Sequence, residues 1–274
     1  MSKRTAIVRG GGDLATGVIY RLWRIGFRVL CLETESPLVV RRPVSAAQAV
    51  FSGVHSIEGM KAVLIGSYSD WEEGTIAVKV DSNGNAISEI SPDLVVDAIM
   101  AKRYTGTHKN MAPLVLAIGP GFSAPDQVHG VIETKRGHYL GRLITEGNAI
   151  PNTGIPGMEM GFSVERLLRA PADGFVTAIA QIGDHVEAAD IVAYVGDHEV
   201  RSQIKGVVRG LIHPSVFVKR GLKIGDVDPR DVREHCFSIT DKALAIAGGV
   251  LEAVASFGLF SFAKPGIDTY VSGK

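Results

Sequence analysis

The sequence predicts an α/β protein: a parallel-sheet domain, a small all-β module, and a C-terminal helix. Three observations predict it. Residues 5–33 read as strand, glycine turn, helix and strand. Short apolar runs, each followed by glycines or cations, recur through residue 145. From Leu167 to Arg230 the helical period vanishes, and short apolar runs alternate with Gly-Asp turns. The boundaries drawn on these changes are 1–166, 167–230 and 231–274.

The first unit carries the most information. Ala6-Ile7-Val8 leads into Gly10, Gly11 and Gly12. Leu14, Val18, Leu22 and Ile25 then form a helical stripe that ends at Gly26. Phe27 to Leu32 is a second buried run, and it ends in Glu33. Gly10, Gly12 and Ala15 fit the G-x-G-x-x-G/A pattern of Rossmann-like dinucleotide sites, and Glu33 stands where an acid meets a ribose hydroxyl. The chemistry behind the pattern is backbone access: glycines let a phosphate approach amides, and a helix N-terminus favours an anion. Asp13 disagrees with it. In the first turn its charge suits the helix but repels a phosphate. A glycine turn that binds no nucleotide is the plain alternative.

Composition narrows the partners. The 274 residues are 46% apolar and 21% charged, and 29 Lys plus Arg balance 29 Asp plus Glu. There is no broad basic field for nucleic acid or an anionic membrane, and aromatics for stacking bases are few. The two cysteines, Cys31 and Cys236, form no ligand cluster and fit a reducing cytoplasm. Cys236 reads as a small buried residue rather than a reactive thiol. Met1 to Arg4 is basic, but a glycine turn interrupts the apolar part, so no signal peptide is expected. Leu244 to Ala263 contains Glu252 and Gly248-Gly249 and reads as a buried helix, not a membrane span.

Further along, Arg41 and Arg42 follow the second strand, either as a solvated turn or as ligand contacts. Ile76–Val80 and Ala86–Ile90 flank Asn83-Gly84, which predicts an inserted hairpin. Leu94 to Met100 is a buried strand followed by Lys102 and Arg103; Leu114 to Ile118 is another, followed by Gly119 and Gly121. Ligands collect at the carboxyl ends of strands in open α/β sheets, so these turns and cations predict a crevice for an anion. Chain turning alone is the competing account of the glycines. His129, Glu133 and His138 fall within ten positions, but a polar strand edge or a substrate-facing loop explains them better than a metal, and no metal site is assigned. Pro151 to Gly157 is a dense turn cluster that closes over something or marks a boundary. The chain beyond Lys264 reads as a polar, frayed tail.

Two resemblances extend this reading. The stretches APADGFVTAIAQIGDHVEAADIVAYV and VRSQIKGVVRGLIHPSVFVKRGLKIGDVDPR resemble the two halves of a biotinyl/lipoyl-type barrel-sandwich domain. Ala170, Pro171, Gly174, Gly183, Asp184 and Val186 carry the match. The hairpin tip, Gly196 to Arg201, has no lysine, and Lys205 comes after the turn, so no covalent biotin or lipoate is expected. The module then reads as a rigid interaction or lid domain.

Over nearly its whole length, through VRGGGDLATGVIYRL, VVDAIMAKR, AIGPGF, VIETKRGHYLGRLI, PNTGIPG, APADG, KIGDVDPR and GGVLEA, the chain resembles the YqeB family. These are accessory proteins linked to selenium-dependent molybdenum hydroxylases. The N-terminal unit is also similar to the Rossmann-like half of XdhC-type accessory proteins. The resemblance implies a role in maturing the hydroxylase or inserting its cofactor, with the hydroxylase or its maturation machinery as partner. It carries over no catalytic residue, and whether the chain is an enzyme stays open. The candidate ligand is a nucleotide- or molybdopterin-type anion. The candidate binding residues are Gly10, Gly11, Gly12, Asp13, Ala15, Glu33, Lys102, Arg103, Gly119 and Gly121. A nicotinamide-dependent oxidoreductase and a non-catalytic adaptor are the alternatives.

Overall fold

The computed structural model describes residues 4–154 and 157–259. In chain order the elements begin β1 (Thr5–Arg9), α1 (Asp13–Arg24), β2 (Arg28–Glu33), α2 (Ala49–Ser52), β3 (Val54–Ile57), β4 (Met60–Leu64) and β5 (Ile76–Val80). They continue with α3 (Ala86–Ile90), β6 (Leu94–Asp97), β7 (Leu114–Ile118), β8 (Ser123–Ala124), β9 (Gly130–Ile132), β10 (Leu143–Ile144) and β11 (Gly147–Asn148). Next come β12 (Leu167–Arg169), β13 (Gly174–Ala178), β14 (His185–Val186), β15 (Ile191–Val195), β16 (His198–Arg201), β17 (Gly206–Leu211), β18 (Phe217–Val218), β19 (Lys223–Asp228) and α4 (Asp241–Ser256).

The large sheet has nine strands in the order β10-β9-β7-β6-β1-β2-β5-β4-β3. Its interior pairs are parallel, but β10 pairs antiparallel with β9, and β3 antiparallel with β4. Residues 167–228 build two four-stranded antiparallel sheets, β12-β19-β17-β14 and β16-β15-β13-β18. The expected fold class, a Rossmann-like parallel sheet followed by a barrel-sandwich module, is therefore corrected: the protein is a mixed α/β structure with one large mixed sheet and several antiparallel ones. The physical cause lies at the edges. Glu58-Gly59 reverses the chain tightly, both residues at positive φ, and folds β3 back on β4.

A second correction concerns the hairpin expected around Asn83-Gly84. Asp81 closes that loop by accepting from the N–H groups of Gly84 (2.9 Å) and Ala86 (2.8 Å), which starts α3 instead of a strand. β5 takes its partners from β2 and β4.

The two long helices share one side of the large sheet. Along α1, Val18 and Leu22 are fully buried, each contributing about 1.5–3 kcal/mol, while Leu14 and Ile25 pack at the margin. Ile246, Val250 and Val254 of α4 enter the same core. The helices meet most closely where Gly17 faces Ala243: a Cβ on Gly17 would lie 2.7 Å from the Ala243 carbonyl oxygen. This approach sets the first turns of both helices side by side. The Thr240 hydroxyl caps α4 by accepting from the Ala243 N–H (3.1 Å). The part of 244–263 read as helix beyond Leu259, and the tail after Lys264, lie outside the described residues. No helix among the described residues is long and apolar enough to cross a membrane.

The loop after β2 ties the layers together. Leu211 N–H donates to the Val40 carbonyl (2.8 Å), and the Arg42 Nε donates to the Leu211 carbonyl (2.7 Å). Arg42 is thus a structural clamp onto β17.

Candidate functional site

A cleft of about 650 Å³ opens where the carboxyl ends of the large sheet face the antiparallel layer. Asp13 and Leu14 of α1 and Thr240 and Lys242 at the start of α4 form one wall. Arg41, Met100, Lys102 and Pro120 come from the loops after β2, β6 and β7. Lys135 and Arg136 follow β9; Arg166, Arg209, Lys223 and Asp226 face them from the antiparallel sheet. Ile150 to Thr153 with Gly157 and Glu159 complete the rim, so the described part of the dense turn cluster lines this cleft; Ile155 and Pro156 lie outside the described residues. Eight Lys and Arg side chains face three carboxylates across the cleft. Two helix N-termini add their partial positive charge. Positive charge therefore predominates around the cleft.

Of the residues singled out in the sequence, Asp13, Arg41 and Lys102 line this cleft. Asp13 does not face an incoming anion bare: its Oδ2 lies 3.4 Å from Nη1 of buried Arg41. Arg41 also donates to the carbonyls of His235 (2.9 Å) and Ser238 (3.4 Å), anchoring the segment that leads into α4.

The glycine turn has another use. Gly10, at φ +94°, packs on Ala98 and Ile99, and a Cβ on Gly11 would lie 2.8 Å from Ala47 N and Cys31 Sγ. Gly12 is less confined, with Val39 at 3.8 Å from such a Cβ. Ala15 is buried in the core. Glu33 turns back and accepts from the N–H groups of Gly11 (2.7 Å) and Thr34 (2.9 Å). Burial pushes its carboxyl above the usual range, against the lowering effect of those two bonds.

Gly119 and Gly121 meet Thr134 and Arg103 in the same way, at 2.8 Å from added Cβ atoms. The loops after β1, β6 and β7 are therefore brought together, but their glycines serve contact between loops, and Arg103 points its backbone at Gly121. Beneath them Arg9 donates to Thr107 Oγ1 (2.5 Å), and Asp97 accepts from the hydroxyls of Thr105 and Thr107 (both 2.6 Å). That buried set holds the loop bearing Lys102.

The remaining candidates are occupied structurally. Glu133 accepts from the N–H groups of Lys135 (2.6 Å) and Ile150 (2.8 Å), and His129 Nδ1 accepts from the Val115 N–H (2.9 Å). Cys31 and Cys236 are free and buried, and burial raises both thiols. Lys205 pairs with Glu187 at 2.6 Å.

Sequence reasoning missed Arg166, Arg209, Lys223, Asp226 and Lys242. Only Lys242 carried a signal: a cation in the first turn of a helix opposes the helix dipole. Burial pushes its ammonium below the usual range.

No protein-family model matches the chain. Solved structures of partial likeness include an aspartoacylase family protein from Mesorhizobium loti (TM-score 0.27, 12% identical, covering 83% of this chain and 85% of that one). The ectoine utilization protein EutE (DoeB) from Ruegeria pomeroyi gives a TM-score of 0.25 at 13% identity, covering 82% and 86%. In sequence, 252 residues are 46% identical to the uncharacterized protein YqeB of Escherichia coli (strain K12), covering 90% of this chain. The chain spans about half of that relative's length, 47%. This chain is a homologue of YqeB over nine-tenths of its own length, which supports its place in the YqeB family.

Proposed function

We propose that this chain binds a nucleotide- or pterin-type anion in the cleft and acts in the cytoplasm as an accessory protein. Its task is maturation of, or cofactor insertion into, a selenium-dependent molybdenum hydroxylase. The observation that carries the binding half is the excess of cations around the cleft, eight against three. The volume, about 650 Å³, suits a small molecule, since such sites commonly measure roughly 300–1,000 Å³. The maturation half rests on the resemblance to the YqeB family.

Glu33 weighs against the oxidoreductase reading. A dinucleotide on the glycine turn needs a free acid for the ribose, and here the Glu33 carboxylate is already bonded to the Gly11 and Thr34 N–H groups. The ligand is instead met by side chains from both layers.

The test is carried out in a host that makes such a hydroxylase. Replacing the chain by an Arg41→Gln/Lys242→Gln variant leaves the hydroxylase synthesised at normal level but inactive. Full hydroxylase activity in a host lacking the chain altogether would remove the maturation role.

A further inference from the structure

Three arginines in the cleft wall are more than nine-tenths buried: Arg41 at 7% exposure, Arg166 and Arg209 at 8%. Among the described residues, each has an Nε with no hydrogen-bond partner. A guanidinium withdrawn from water without a counter-charge is costly, so the partners of each matter. Arg41 has Asp13. Arg209 has Asp228 at 3.2 Å, but Arg230 holds the same carboxylate at 2.6 Å. Arg166 forms no ion pair among the described residues and makes only a long bond, 3.4 Å, to the Gly157 carbonyl.

Local structure aims these groups. Arg209 stands in a bulge of β17, where the register with β19 shifts between Val208 and Gly210. A bulge leaves its extra residue outside the ladder and redirects its side chain. Arg166 immediately precedes β12, on the other side of β19. Lys242 enters from the first turn of α4 and, like Arg166, forms no ion pair among the described residues. A cation there lowers helix stability unless an anion meets it.

We propose that these groups form a phosphate seat: Arg166 and Arg209 from the antiparallel layer, and Arg41 and Lys242 from the helix side, close on a terminal phosphate of the ligand. Arg166 and Lys242 form no ion pair among the described residues, and two such cations match a phosphate dianion rather than a phosphodiester. The seat rests on the anion-binding reading above and narrows it to ligands with a terminal phosphate. Because its cations come from both layers, the bound phosphate also clasps the layers together.

The experiment is a calorimetric titration with pyrophosphate and, separately, with CTP. The proteins are wild type, Arg166→Gln, Lys242→Gln and a control, Lys61→Gln, whose side chain is exposed on the far edge of the large sheet. Removing a charged hydrogen-bonding partner weakens pyrophosphate binding by about tenfold or more in the first two variants. The control binds as wild type does. Should Arg166→Gln fail to fold, Lys242→Gln at the partly exposed start of α4 decides alone. Unchanged pyrophosphate affinity in Lys242→Gln, with CTP still bound, overturns the seat and leaves the broader reading standing. A wild-type protein that binds neither probe overturns the seat, and the broader reading falls with it only when a molybdopterin nucleotide also fails to bind.

Discussion

The Glu33 carboxylate accepts a 2.7 Å hydrogen bond from the Gly11 N–H, so the acid at the end of the second strand closes on the turn at the end of the first. In a dinucleotide site such an acid meets the ribose; here it is bonded to the glycine turn. Burial raises the Glu33 carboxyl, so the folded protein favours its protonated form relative to the unfolded chain. Stability from this group is therefore fully present below the ordinary glutamate range and is lost as pH rises through the raised value. Glu33→Gln keeps an acceptor and removes the charge. It is expected to melt at or above the wild-type temperature at pH 7.5, and the gap narrows as pH falls below the carboxylate range. Glu33→Ala leaves the Gly11 N–H unsatisfied and costs about 1–3 kcal/mol. Melts of the three proteins between pH 4 and 8 check both statements.

The glycines of the turn separate in the same manner. Gly11→Ala forces a methyl against Ala47 N and Cys31 Sγ and is expected to cost about 1–3 kcal/mol by overpacking. Gly12 has φ −66° and ψ 177°, which any residue adopts, and its nearest neighbour is a valine methyl at ordinary contact distance. Gly12→Ala should therefore fold, melt close to wild type, and keep its anion affinity. Loss of binding in Gly12→Ala, measured by the same titration, would return the phosphate to the glycine amides.

Much of the first unit was legible in the sequence because local physics decides it. The stripe Leu14, Val18, Leu22 and Ile25 reports a helix with one buried face, and Gly26 reports its end. The cleft was not legible for the opposite reason. Arg41, Arg166, Arg209 and Lys242 lie in four separate stretches; Arg41 alone was open to reading as a ligand contact, and only tertiary packing shows that three of them are buried. The hairpin at Asn83-Gly84 failed because a strong turn dipeptide does not fix whether a strand or a helix comes after it, and Asp81 supplies the caps of a short helix there. The antiparallel edges of the large sheet failed likewise, since the interior strands carry the clearest apolar runs and the edges are short.

Asp13, which counted against an anion in the sequence, is the counter-charge of Arg41. Asp13→Asn frees that guanidinium for a ligand. The expected gain in pyrophosphate affinity is roughly twofold to fivefold, in keeping with a partly exposed ion pair. The cost to α1 is about 0.3–1 kcal/mol, from losing an acid in its first turn. Calorimetry and a thermal melt on one preparation read both effects, and weakened binding would show that Asp13 contacts the ligand favourably.

The central claim, that the cleft binds a phosphate-bearing small molecule through side-chain cations, is tested most directly by equilibrium titration of the wild-type protein. The ligands are ATP, CTP, NAD, NADP and a molybdopterin nucleotide, each at low and at high salt. The account predicts saturable binding of at least one of them, weakening as salt screens the cations. Binding of none, or an affinity indifferent to salt, would contradict it.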